Sequence, residues 1–381
     1  MTTPLAGTRV LDITTSLSGP LAAGILADLG AHVVKIERAS APDRARFAGT
    51  REGDISAMFH MANRGKRSIV LDLRDPADHQ TALALVRQAD VLVENFRPGV
   101  TRRLGLDYAS LSAVNERLVY VSVNGFGSTG PYAERPAFDS LLQAYGGISA
   151  LAADGDGVPR LVSHAIVDKV AGLVGAQSAL AALLARERTG AGQHVEVSMF
   201  EVAAWFVYLD AAGSSTLIDA PKGLGDDATT GKRMTVRFAD GWGMLSLGHD
   251  DSFRAVCEVF GIDLAGRPHL ATMAGRTDDP AAYEEVLSEI RRGAASLPRS
   301  EAAGRLLSAG AMFAEVLHPA EIPANEQAMA RRLFIESRHP VVGRIVEARL
   351  PAVFSATPLA DPGPSPTVGQ HGDQVRAELR D

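Results

Sequence analysis

Residues 159–201 read PRLVSHAIVDKVAGLVGAQSALAALLARERTGAGQHVEVSMFE. The span 165–188 predicts one long helix, with Gly172, Ala176, Ala179 and Ala182 at three- and four-residue spacings that let another backbone approach closely. Such a face suits intimate contact, including contact between chains. Gly190 predicts the end of the helix, and 194–200 then alternates like a strand. Asp168 is the odd residue, a carboxylate in the first turn of a helix that carries no charge from Lys169 to Arg186. Two roles fit it. A first-turn acid complements the helix dipole and caps free amides. Beside a cleft, the same carboxylate is held ionised and available as a nucleophile.

Upstream of this stretch, apolar runs at 9–13, 32–37, 68–73, 90–94 and 118–123 read as strands, joined by 194–199 beyond the helix. Helical patterns at 20–29, 77–88 and 100–114 separate them. Apolar strands alternating with helices predict an open, mostly parallel α/β sheet covered by helices on both faces. Ligands bind such sheets at the carboxyl ends of the strands. Sheet-end loops here carry Arg38, then Asn63, Arg64, Lys66 and Arg67, then Asn95, Arg97, Arg102 and Arg103. Guanidinium, ammonium and free helix amides together suit phosphate oxygens, although each loop alone is more often a solvated surface charge.

Residues 125–130, GFGSTG, match a GxGxxG pattern, but Pro131 and Pro136 block the helix that a dinucleotide fingerprint opens. They read instead as a loop of close backbone approach. The ten histidines show no HxxxH spacing, there is no CxxC, and no GxSxG elbow is present, which argues against a zinc site or a serine hydrolase.

At 381 residues, 46% hydrophobic and 22% charged, the chain has the length and composition of a globular protein of two domains. Its net charge of -7 argues against nucleic-acid binding. The N-terminus lacks a basic start followed by an apolar run, and no uncharged apolar segment reaches bilayer-spanning length, so neither export nor a membrane is expected. The lone Cys257 excludes an intrachain disulfide and suits a reducing, cytoplasmic setting. From about residue 214 the texture changes. Residues 214–232 read as a linker or loop, 234–238 and 243–246 as a hairpin, and 255–260, 281–292 and 299–308 as helices of a smaller α+β domain. A strand at 343–350 and a terminal helix at 372–379 close the chain.

Seven segments together resemble the class III coenzyme A transferases: PLAGTRVLDIT (4–14), GPLAAGILADLGAHVVKIER (19–38), NRGKRSIVLDL (63–73), VENFRPGVTRRLGL (93–106), GFGSTGPYAERPAFDSLLQAYGG (125–147), RTGAGQHVEVSMFE (188–201) and PSPTVGQHGDQV (364–375). The family includes formyl-CoA and carnitine CoA transferases and the related α-methylacyl-CoA racemase. The resemblance implies a Rossmann-like large domain of residues 1–210 and 335–381, a small domain at 211–334, and two chains interlocked as a homodimer. It implies acyl-CoA and carboxylic acid substrates, no permanently bound cofactor, and Asp168 as the covalent nucleophile. Arg38, Asn63, Lys66, Asn95, Phe96, Arg97 and Arg103 would contact CoA, with Asp139 nearer the thioester. Glycines 125–130, or Gly223 and Gly225, would serve the oxyanion. The racemase branch has a histidine immediately before Asp139 where this chain has Phe138, which favours transfer over α-proton chemistry. A CoA-binding protein without catalysis is the remaining alternative.

Overall fold

The computed structural model describes residues 2–153, 156–219 and 233–380. Gly223 and Gly225 lie outside the described residues. The chain divides into two compact units, Met1–Asp210 with Met329–Asp381, and Ala211–Ala328.

The first unit opens with β1 (Arg9–Asp12), α1 (Ser18–Asp28) and β2 (His32–Glu37). A small hairpin of β3 (Arg51–Glu52) and β4 (Ile55–Ser56) leads to α2 (Ala57–Asn63), β5 (Arg67–Val70), α3 (Pro76–Gln88) and β6 (Val91–Glu94). Then follow α4 (Val100–Arg103), α5 (Tyr108–Ser112), β7 (Val119–Asn124), α6 (Asp139–Tyr145), α7 (Ile148–Leu151), α8 (Ile166–Thr189), β8 (Gln193–Ser198) and α9 (Met199–Tyr208). Six strands form one parallel sheet in the order β5-β2-β1-β6-β7-β8. Successive strand residues point to opposite faces. Val10, Val33, Val93 and Val121 therefore pack under α1 and α8, while Leu11, Val34, Ile69, Leu92 and Tyr120 form a second apolar layer on the other side.

The long helix runs within one residue of the expected span at each end, and Gly190 closes it with φ +79°. By length and composition alone α8 is apolar enough to cross a membrane. Here its small-residue face lies against α1. A Cβ on Gly172 would come within 3.0 Å of Leu21, and one on Gly175 within 3.2 Å of Ala22. That close-packing face is thus filled inside the chain, which corrects the expectation that it serves a second copy. The single helix expected over 100–114 is two, because Gly105 turns the chain at φ +63° and Asp107 caps a new start.

The first unit is completed by β12 (Phe334–His339) and β13 (Gly343–Ala348), an antiparallel pair, and by a terminal helix at Gly372–Glu378. A buried polar cluster ties the hairpin down. His60 Nε2 lies 3.0 Å from Glu347 and its Nδ1 3.1 Å from Ser365 Oγ, while Arg64 joins Glu347 to Asp28. Val341 N–H donates to His339 Nδ1, which leaves Nε2–H to donate to the Ser365 carbonyl.

The second unit carries an antiparallel sheet of β9 (Arg233–Phe238), β10 (Gly241–Ser246) and β11 (Phe313–Glu315), with helices at Asp250–Val259, Pro280–Ala295 and Arg299–Ser308. Phe238, Leu245, Phe253, Val256, Cys257, Val286 and Ile290 fill its own core. Cys257 is a buried packing residue, and burial pushes its thiol up to about 11.

Candidate active site

The strand order reverses between β1 and β6, so the crevice of this sheet opens where the loops after those two strands meet. Asn95, just past β6, clamps the β1–α1 loop. Its Oδ1 accepts Thr15 N–H at 2.9 Å and its Nδ2 donates to the Thr15 carbonyl at 2.7 Å. Thr14 N–H donates to Asp12, and Lys35 Nζ to the Thr14 carbonyl, at 2.8 Å each. Ser16 is held left-handed at φ +73°, its N–H donating to Asp43 Oδ1 at 2.8 Å. Ser18 follows, buried in the first turn of α1.

Across from Ser18 lies Asp168. It does not cap its own helix. The N-terminus of α8 has no side-chain cap from Ala165. The amides of Val167 and Asp168 donate instead to Asp139 Oδ1, at 2.7 and 3.0 Å. Asp139 opens α6, and its Oδ2 accepts from Gln143 Nε2 at 2.6 Å. Gln143 is itself buried and bonded to the 162–164 backbone. Burial, and then the charge of Asp139, push the Asp168 carboxyl up to about 6, while the hydroxyl and amide of Ser18 pull the other way. Lys169, next in the chain, faces outward against His164. The result is a half-buried carboxylate with raised basicity that does not cap its own helix and is held instead by the hydroxyl and first-turn amide of Ser18 on α1. Asp139 is expected as a ligand contact near the thioester; its two oxygens are engaged by α8 and Gln143.

On the other side of the same loop opens a cleft of about 570 Å³. Thr14, Thr15 and Asp43 form one wall, Ile13, Ile36, Leu71 and Phe96 the floor, and Arg38, Arg44 and Arg74 the rim. Arg74 is already held by Asp72, which also lines the cleft, so the apolar floor with Arg38 and Arg44 is what fits a nucleotide with phosphates. Of the expected contact residues, Arg38 and Phe96 line this cleft, and Asn95 shapes it from behind through Thr15. Arg97 and Arg103 stand exposed on the following loop and short helix.

Asn63 and Lys66 are corrected. Both side chains are buried, Lys66 at 2% exposure, and their polar atoms are spent inside the protein. Lys66 Nζ donates to Asp12 Oδ2, the Pro20 carbonyl and Asn63 Oδ1 at 2.7–2.9 Å. Asn63 Nδ2 donates to the Phe59 carbonyl. They precede their strand rather than follow it, and the Lys66 ammonium is sealed beneath the first turn of α1, between Asp12 and the Pro20 carbonyl. Burial pushes the Lys66 ammonium down to about 8 even with Asp12 beside it.

Ser18, Asp43, Gln143, Arg44 and Arg74 are functional candidates that sequence reasoning missed. Ser18 opens a helix and Asp43 precedes a helical turn, signals that mark helix starts and say nothing of what the loop faces. Residues 125–130 open no helix among the described residues. Gly125 lies so close to Ala137 that a Cβ would come within 2.2 Å of it. Phe138, beside Asp139, is 59% exposed.

A protein-family model described as CoA-transferase family III matches residues 5–372. The chain is 36% identical over 383 residues to an acetyl-CoA:oxalate CoA-transferase of Acetobacter aceti, covering 99% of this chain and 96% of that one. It is 34% identical over 394 residues to a succinate–glutarate CoA-transferase of Agrobacterium fabrum, with the same coverage. A CaiB/BaiF family protein from Brucella suis superposes with a TM-score of 0.89 over 100% of both chains, at 32% identity.

Proposed function

Because the chain belongs to CoA-transferase family III, we propose that it moves coenzyme A from an acyl-CoA donor to a carboxylic acid through a covalent intermediate on Asp168. It is an enzyme whose substrates are CoA thioesters and carboxylates. A free carboxylate is a weak nucleophile towards a thioester. A carboxylate fixed against the carbonyl gains an effective molarity worth about 7–11 kcal/mol.

The steps balance without another reactant. An Asp168 oxygen attacks the thioester carbonyl, the C–S bond breaks, and an acyl–aspartyl anhydride and CoA thiolate result. The thiolate attacks the aspartyl carbonyl, releasing the donor acid and leaving an aspartyl-CoA thioester. The acceptor carboxylate attacks that thioester, regenerating thiolate and a second anhydride. Thiolate attack on the acceptor's acyl carbon then releases the new acyl-CoA and frees Asp168. The carrying observation is that Asp139 takes the first amides of α8, so Asp168 does not cap its own helix and meets the buried start of α1 at Ser18 instead.

The two curated relatives are named for acetyl, oxalate, succinate and glutarate, and small carboxylic acids are the proposed acceptors here. The working form is proposed as an interlocked homodimer in the cytoplasm. Exposed Leu173, Leu184 and Trp205 on α8 and α9 offer apolar surface for the second copy. Light scattering should give twice the chain mass.

The test is to incubate the protein with acyl-CoA, quench with hydroxylamine, and map the peptides by mass spectrometry. A hydroxamate on Asp168 is expected. Exchange of the substrate's α-hydrogen with deuterated water, with no adduct, would replace transfer by α-proton chemistry.

A further inference from the structure

Asp43 lies in the segment after β2, and its buried carboxylate gathers several donors of the β1–α1 loop. Its Oδ1 accepts three donors: Ser16 N–H at 2.8 Å, Ala45 N–H at 2.9 Å and Thr15 Oγ–H at 3.2 Å. Its Oδ2 faces Lys35 Nζ at 3.0 Å, fully out of solvent. Its own N–H is taken by Glu37, which is paired in turn with Arg46. The residue it holds, Ser16, has a backbone conformation that L side chains rarely adopt. Two residues later comes Ser18, facing Asp168.

We propose that Asp43 is a positioning residue for the reaction at Asp168: it locks the left-handed turn at Ser16 and so fixes the first turn of α1 against the reacting carboxylate. This rests on the reading of Asp168 as nucleophile. A left-handed serine persists only where its surroundings over-determine it, and the Ser16 amide has its partner in Asp43. Without that bond the loop relaxes and Ser18 leaves the carboxylate. Asp139 on α6 then remains as the titratable group facing Asp168, with the Lys169–His164 pair turned outward.

The experiment compares Asp43→Asn, Ser16→Val and Asp43→Asn/Ser16→Gly with the wild type. In Asp43→Asn the uncharged amide no longer balances Lys35 and offers its one carbonyl oxygen to competing donors. Ser16→Val changes an exposed residue, spares the core, and strongly disfavours positive φ. Hydroxylamine trapping at saturating acyl-CoA is expected to slow about 10–100-fold in both single variants. The acid limb of kcat should move to higher pH, because the groups favouring ionised Asp168 have withdrawn. Glycine adopts positive φ freely, so Ser16→Gly should recover most of the loss in the double variant. A merely structural Asp43 would lower the active fraction without moving the pH limb and without rescue by glycine, and that outcome overturns the proposal. So does wild-type trapping in both single variants. Absence of any adduct on wild-type Asp168 would instead defeat the nucleophile reading itself, and this proposal with it.

Discussion

Asp139 Oδ1 accepts the backbone N–H of Asp168 at 3.0 Å, so one carboxylate caps the helix on which the other is presented. The arrangement does two things at once. It frees the Asp168 side chain from its own helix end, and it sets a like charge nearby that raises its basicity. A carboxyl at about 6 is still ionised at neutral pH but is more basic than an ordinary aspartate.

Asp168→Asn should lower CoA transfer by about three orders of magnitude or more while CoA esters still bind. The same change should stabilise the fold. A carboxyl raised above its unfolded value of 3.8 costs stability once ionised, fully above about pH 6 and not at all below 3.8. The gain in the variant is about 1–3 kcal/mol at pH 7.5 and fades towards pH 4. Thermal melts across that range measure it, and an unchanged or lower Tm at pH 7.5 contradicts it.

Asp139→Asn and Asp139→Ala should separate charge from capping. The amide keeps an acceptor for Val167 and Asp168 but loses the repulsion, so the acid limb of kcat should move down towards ordinary aspartate values. The alanine variant leaves two helix amides without their acceptor and should cost about 1–2 kcal/mol of stability. Matching pH profiles for the asparagine variant and the wild type would remove Asp139 from the electrostatics.

Arg38→Ala and Lys66→Met should part company, although both are basic residues in sheet-end segments. Losing the Arg38 guanidinium from the cleft rim should raise KM for acyl-CoA about tenfold or more with the fold intact. Lys66→Met removes the nearer of the two buried ammonium groups beside Asp12, leaving Lys35 at 3.6 Å, and should destabilise the protein by about 2–4 kcal/mol. Denaturant titration and initial rates decide it, and normal stability of Lys66→Met would refute the buried assignment.

His60 predicts an acid sensitivity. Burial holds its imidazole below the ordinary value of 6.5, in spite of Glu347. As pH falls through 6.5 the unfolded chain takes up this proton first, so folding stability falls from that point downward. His194 and His371 act in the same direction. Stability between pH 7 and 5 should therefore fall less steeply in His60→Gln than in the wild type. Equal slopes would show that His60 titrates alike in both states.

Much of the first unit was legible because its signals are local. Apolar runs, the small-residue spacing and Gly190 prescribe strand, helix and stop over a few residues each, and α8 ends one residue from where they place it. The second strand of the C-terminal hairpin was legible, but its partner β12, with charged Glu336 and Arg338, hid among polar residues. Over 100–114 the apolar period ran through Gly105, and a turn overrode it.

The site divides along the same line. Asp168 could be singled out from the sequence because an isolated carboxylate in an apolar helix is a local anomaly. That it does not cap its own helix could not, since the residue that caps instead, Asp139, lies 29 positions away and on another helix. Nor could composition tell Arg38, on the rim of a cleft, from Lys66, sealed beneath α1. A basic residue beside glycine reads alike whether solvated or buried. Only the strand order β5-β2-β1-β6-β7-β8 decides which loops reach the crevice and which side chains the sheet closes over. Local chemistry determined the elements and the candidate nucleophile. Long-range packing decided which charges were left free to act, because a charge is spent or kept according to partners that sequence spacing does not encode.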